Sequence, residues 1–371
     1  MTHLFQEQSD RFLQWLQEAA LPFWATRARD HKGGFFEALD LDGDPLLDKP
    51  KRLRVQARQA FSFARAEVLG LYGGRAASDH AYDFLLSHGR GDEGFVHTLH
   101  PDGSVLDSKL DLYDHAFVLL ASAERYRAYQ DERALGVARD VLTIIDGLRM
   151  KEGGYAEGQP HTLPRRQNPH MHLFEAFLTM RLANMPLDQD ERLEEIRRLL
   201  KSAFYDKDAQ VIREHFDQYW NLHPKKGQEV EPGHMVEWAW LAAEGGNKDL
   251  SVPLITKARA IGYQENTGLM VNSVDLSNGE HNGSCRLWPQ TEHVRALTML
   301  ARWGEGDDDQ AGLLLKKTMD RYFPEDLGGG YHDEFAIDGT QLSQHMPSSS
   351  LYHLITMADE IIRARQEFAT S

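Results

Sequence analysis

Three histidines of this chain stand where acid–base chemistry is practicable: His172, His234 and His353, each near the start of a helix-patterned segment. Imidazole titrates near neutrality, so it can take up and return a proton at physiological pH. Glu237 follows His234 by three residues, a spacing that puts both on one helix face and lets a carboxylate orient the ring. Arg54, Tyr113 and Glu292 occupy corresponding places in three further segments, and Trp288 lies one turn before Glu292. A lone helical histidine is usually a cap or a satisfied core residue, and eighteen histidines make coincidences common. The case therefore rests on the set. Arg54, Tyr113, His172, His234, Glu292 and His353 follow one another at steps of 59, 59, 62, 58 and 61 residues.

Such a period needs a repeated structural unit to deliver it. Each unit opens with a turn, most of them Gly-rich and aromatic: Gly33–Glu37, Gly94–His97, Gly153–Glu157, Val211–Glu214, Gly268–Val271 and Gly328–His332. A period near 60 residues holds two helices and a hairpin-like connection. Apolar spacing of three and four predicts helices over 3–25, 53–72, 76–88, 109–129, 132–149, 168–184, 189–204, 231–245, 249–263, 286–303, 308–322 and 346–366. The first and every second one after it carry a charged face and belong at the surface. The others are apolar nearly all round, as in Ala116-Phe117-Val118-Leu119-Leu120-Ala121, and belong inside. Asp40–Asp44, Pro101–Gly103 and Ile337–Gly339 read as hairpin turns. No linker or low-complexity tract interrupts the pattern. The expected fold is all-α: an (α/α)6 barrel of twelve helices, residues 1–371 as one domain, with short β-hairpins and the inner-helix starts sharing the active-site mouth.

Composition narrows the partners. At 41% hydrophobic and 26% charged residues the chain is an ordinary globular one. Its net charge of −16 argues against nucleic acid and anionic lipid, and favours a small neutral ligand. No apolar run is long enough to span a bilayer and no signal peptide is visible. One cysteine, Cys285, excludes an internal disulfide framework and fits a reducing cytoplasm; a monomer or homodimer is expected. His170 with His172, and Glu292 with His293, are candidate metal ligands by residue type, but no His-Glu-x-x-His pattern accompanies them. No phosphate loop, dinucleotide fingerprint or Gly-x-Ser-x-Gly elbow is present, and neither metal nor cofactor is expected.

The chain resembles the N-acylglucosamine 2-epimerase superfamily along nearly its whole length. The resemblance is carried by Arg54 with Gln56 and Arg58, Asp111–Phe117, Asn168–His172 with Glu175, His234–Trp238, Trp288–Glu292 and Tyr352–Leu354, one motif per repeat. It implies the same barrel and a metal-independent proton transfer at C2 of a ring-opened aldose. It also implies that His234 and His353 are the general acid and base, with His172 and Arg54 binding substrate and enediolate. Tyr113, Glu237, Trp288 and Glu292 are expected to contact substrate. The segment Met346–His353 is similar to the mannose-isomerase branch, so mannose–fructose isomerisation is expected first. 2-Epimerisation of N-acylglucosamine, mannose/glucose or cellobiose is the alternative, and a glycoside hydrolase with Glu237 and Glu292 a remoter one.

Overall fold

A computed structural model describes residues 1–370. Thirteen α-helices appear: α1 (His3–Trp15), α2 (Leu21–Arg27), α3 (Leu53–Val68), α4 (Arg75–His88), α5 (Leu112–Tyr129), α6 (Glu132–Gly147), α7 (Gln167–Leu182), α8 (Asp190–Leu199), α9 (Pro232–Glu244), α10 (Ser251–Gly262), α11 (Leu287–Arg302), α12 (Asp308–Tyr322) and α13 (Leu351–Thr370). The first two are one rod joined by a π-helical stretch, Leu16–Ala20, so the twelve expected helices are all present. Pro22 follows the junction and has no N–H for the helical ladder there, which accounts for the break.

The helices form two concentric rings, the (α/α)6 barrel. α3, α5, α7, α9, α11 and α13 pack neighbour to neighbour inside, and α13 returns against α3. Their composition explains their place: thirteen residues of α3 are buried, Gln56, Arg58, Gln59, Ser62 and Arg65 among them, whereas α8 buries only Leu193, Ile196 and Leu199. Two expected helix starts move inward. Leu110–Asp111 is a strand, and the Asp111 side chain caps α5 by accepting from the Tyr113 and Asp114 N–H groups. Met346–Pro347 is likewise a strand, followed by a 3-10 turn over Ser348–Ser350 before α13.

Short antiparallel pairs stitch each repeat to the next. Residues 51–52 pair with 98–99, 110–111 with 158–159, 165–166 with 215–216, 229–230 with 274–275 and 284–286 with 334–336. The last pair joins the two ends of the ring: Ala38 faces Pro347 and Leu39 faces Met346. All of these pairs sit at the N-terminal ends of the inner helices, and so define one mouth. Among the described residues, no helix is long and apolar enough to cross a membrane.

Candidate active site

Aligning the inner helices by their first residues (Leu53, Leu112, Gln167, Pro232, Leu287 and, for the last, Ser348) sorts the polar residues into layers. The residue before each start is Arg52, Asp111, Arg166, Glu231, Arg286 and Pro347, a rim of alternating charge broken only by the proline. The second residues are Arg54, Tyr113, Asn168, Gly233, Trp288 and Ser349. The sixth are Arg58, Phe117, His172, Glu237, Glu292 and His353, and of these Arg58, His172, Glu237 and His353 form the floor. Together these layers enclose a cavity of about 480 Å3. Arg54, Tyr113, His172, His234, Glu237, Trp288 and His353 all line it.

The fourth residue of four helices is structural. Gln56, His115, His170 and Gln290 each accept the N–H of an incoming turn residue: Phe35, Phe95, Tyr155 and Met270, at 2.7, 3.0, 3.0 and 2.8 Å. In the Val211 repeat Met235 replaces them. The glycines of these turns are required by this contact. Gly34 and Gly154 have φ of +68° and +66°, and a Cβ on either would sit 2.6 or 2.8 Å from the clamping side chain. His170, a candidate metal ligand by residue type, has both ring nitrogens occupied in this role, the second by the Arg166 carbonyl.

The two proposed acid–base histidines have opposite surroundings. His353 Nδ1 lies 2.7 Å from Glu292 Oε1, and Arg295 Nη1 donates to the other oxygen of Glu292 at 3.1 Å. Burial tends to raise the Glu292 pKa, but Arg295 and His353 outweigh it and keep the carboxylate ionised. An ionised acceptor fixes the proton on Nδ1 and leaves Nε2 as the basic atom. Burial pushes the His353 imidazole down to about 4, despite Glu292. His234 Nδ1 lies 3.1 Å from Glu214 and 3.5 Å from Glu231. Burial alone would lower its pKa, yet Glu231 and Glu214 together raise it to about 10. At neutral pH one ring is a base and its counterpart an acid. Asn168 Nδ2 lies 3.1 Å from His234 Nε2 and its Oδ1 has no partner, so turning the amide over lets Oδ1 accept from a doubly protonated His234. Trp288 separates the two rings, with centroids 5.0 Å from His234 and 5.7 Å from His353. It fits because Gly233 has no Cβ, which would approach that indole to 2.6 Å.

Two expectations are corrected by this geometry. Glu237 does not orient His234; Glu214, from the Val211–Glu214 turn, and Glu231 do. Glu237 instead lies close to His172, Glu175, Glu292 and His353, where burial and the charge of Glu292 push its pKa well above the carboxylate range. Glu292 was expected to contact substrate; it lies behind His353, outside the cavity lining. Arg54, expected to bind substrate and enediolate, lines the cavity while its Nη1 donates to Asp114 at 3.0 Å. Arg58, one turn further along the same face, donates to the Tyr113 hydroxyl at 2.9 Å and stacks 4.2 Å from Phe117. Among the described residues no carboxylate bonds it, and it is the guanidinium of the cavity floor.

His172 shares Glu175 with the Tyr352 hydroxyl and is packed against Tyr113 and Phe117. Burial holds it neutral. The triplets Glu214–Glu231–His234 and Glu237–Glu292–His353 each bring one ligand atom per residue within 4.8 Å, so either is compact enough for an ion. An ion at either would compete with the Nδ1–H bond that fixes its histidine.

The relatives of this chain are enzymes that isomerise or epimerise sugars. A "mannose-6-phosphate isomerase" of Rhizobium meliloti (strain 1021) is 32% identical over 378 residues, covering 95% of this chain and 96% of its own. A "D-mannose isomerase" of Thermobifida fusca is 29% identical over 83% of each chain. The solved cellobiose 2-epimerase of Spirochaeta thermophila DSM 6192 shares the fold at a TM-score of 0.87, with 20% identity over 98% of both chains. The chain belongs to the N-acylglucosamine 2-epimerase (GlcNAc 2-epimerase) family, matched over residues 34–357.

Proposed function

We propose that the protein is an aldose–ketose isomerase that converts mannose to fructose through an enediol. His353 Nε2 removes the proton from C2 of the open-chain sugar, and the C2–H electrons form the C1=C2 bond. Charge developing on O1 is met by Arg58, and the His234 imidazolium supplies a proton to O1. His353 then returns its proton to C1 while the O2 proton passes to His234, leaving a carbonyl at C2. The imidazolium formed at His353 is stabilised by Glu292 throughout. His172 and the protonated Glu237 hold sugar hydroxyls.

The observation that carries this reading is the split between the two histidines. An epimerase that works from both faces of C2 needs two groups that exchange roles in the two directions. One neutral and one protonated imidazole, each held by its own carboxylate, suit a single shuttling base and a fixed acid instead. The names of the two relatives support the same outcome. The rim arginines favour a second reading, in which the sugar carries a phosphate, as the name of the Rhizobium relative suggests. Incubation with mannose, and separately with mannose 6-phosphate, in heavy water tests both. Fructose carrying deuterium at C1 is expected; glucose as the dominant early product would reassign the enzyme as a 2-epimerase.

A further inference from the structure

The barrel has a second opening. The C-terminal halves of α3, α7, α9, α11 and α13 enclose a cavity of about 270 Å3 on the far side of the floor. It is separated from the active site by one layer of side chains, since Glu175 and Arg295 line it while bonding His172 and Glu292. Four guanidinium groups face it, from Arg65, Arg181, Arg295 and Arg363, against the carboxylates of Glu175 and Glu244. Arg65 is engaged by Glu124 and Asp359, and Arg363 by Glu244 and Asp359.

The remaining two cations have donors to spare. Arg181 is exposed at the cavity mouth and, among the described residues, has one hydrogen bond, 3.5 Å to the Glu244 carbonyl oxygen. Arg295 is 2% exposed, with its guanidinium carbon 3.5 Å from the centre of the Trp240 ring, and its Nε–H has no partner. A buried donor without an acceptor is costly and is normally satisfied by something. Leu178, Leu182 and Leu241 provide an apolar wall beside these donors.

We propose that this axial cavity binds a small oxyanion, a phosphate or carboxylate group, between Arg181 and Arg295. Such groups match guanidinium donors in charge and geometry. The site differs from the sugar cavity, and nothing in the proton transfer uses it. It is nonetheless linked to it, because Arg295 also holds Glu292, which in turn holds His353. An anion that shares Arg295 weakens its hold on Glu292 and so alters the base. That last consequence rests on His353 being the base; the binding itself does not.

The test is calorimetric titration of the whole protein with inorganic phosphate, with and without a saturating mannose–fructose mixture. Saturable binding that the sugars leave unchanged is expected. Arg181→Gln should weaken it by about tenfold or more, the loss expected for one charge-assisted bond. Its turnover in phosphate-free buffer should match that of the parent. Leu178→Trp, which fills the cavity, should weaken phosphate binding too. Phosphate should change kcat of the parent and not of Arg181→Gln. No saturable binding, displacement by sugar, or unchanged affinity in both variants would overturn the site; an unchanged kcat at saturation would overturn the link. If no sugar is turned over at all, the functional reading fails and the isotherms still decide the site.

Discussion

Replacing Glu292 by glutamine should invert the tautomer of His353. The carboxylate has two oxygens and serves two donors, His353 Nδ1–H at 2.7 Å and Arg295 Nη1 at 3.1 Å. A glutamine has one oxygen. The buried Arg295 has no deprotonated form to retreat to, so it takes that oxygen and the NH2 group turns toward His353. Nδ1 must then accept, the proton moves to Nε2, and the lone pair facing the sugar is gone. Losing a positioned general base costs about 10²–10⁴-fold in rate, or about 2.7–5.4 kcal/mol of barrier. The side chain is isosteric, so helix content should be unchanged by circular dichroism. Steady-state conversion of mannose, with deuterium wash-in followed by NMR, measures the loss. The double variant Glu292→Gln/Arg295→Gln frees the amide oxygen to face His353 again and should recover part of the rate. A Glu292→Gln enzyme with kcat within a few-fold of the parent would refute the tautomer argument, as would a double variant slower than the single one.

The pH–rate profile should be a broad bell, rising as His353 deprotonates through about 4 and falling as His234 deprotonates through about 10. Glu214→Gln removes one source of the raised His234 pKa, so the alkaline limb should move to lower pH while the acid limb stays. Because the folded pKa of His234 lies above its unfolded value, its contribution to stability is complete below about 6.5 and is lost as pH rises through about 10; denaturant titrations across that window should show a steeper decline for the parent than for His234→Gln. Arg58→Met should lower kcat by about 10²–10³-fold, as for loss of one oxyanion donor, and Arg54→Gln by much less; equal effects would return the oxyanion role to Arg54. His170→Gln should keep both fold and activity, since Gln56 and Gln290 make the same bond in other repeats, whereas His170→Ala leaves the Tyr155 N–H unpaired at about 1–3 kcal/mol by thermal unfolding. Activity should survive exhaustive chelation; loss restored by one divalent ion would assign a metal to one of the His–Glu triplets.

The double ring was legible because two signals agreed: a period near 60 residues and an alternation of amphipathic with wholly apolar helices. The register was not. Counted from the inner-helix starts, with Ser348 standing for the last, Arg54 and Tyr113 are second residues, His234 is a third, and His172, Glu292 and His353 are sixth. Nearly equal steps arose because connections of different length offset shifts of one helical turn. For the same reason Arg54 and Arg58, four residues apart on one face, could not be told apart; only the position of Asp114 shows which is engaged. Glu214 escaped notice because it sits on an extended segment from a preceding connection, and no local spacing ties it to His234. Glu237 misled for the opposite reason: its i, i+3 spacing to His234 is real, but the ring turns outward to the rim and the carboxyl points down to the floor.

The pairing of Ala38–Leu39 with Met346–Pro347 gives the ring a single seam, between segments 309 residues apart in the chain for Ala38 and Pro347. Arg58 lies just beyond one lip of that seam and His353 just beyond the other. A ribosome therefore makes five-sixths of the barrel, with most of its helices able to form, before any chain has both. On refolding from denaturant, ellipticity should return as the individual repeats form, and turnover only when the seam shuts. A strand-breaking change at Leu39 or Met346 would then slow the appearance of activity while leaving the return of helix nearly untouched.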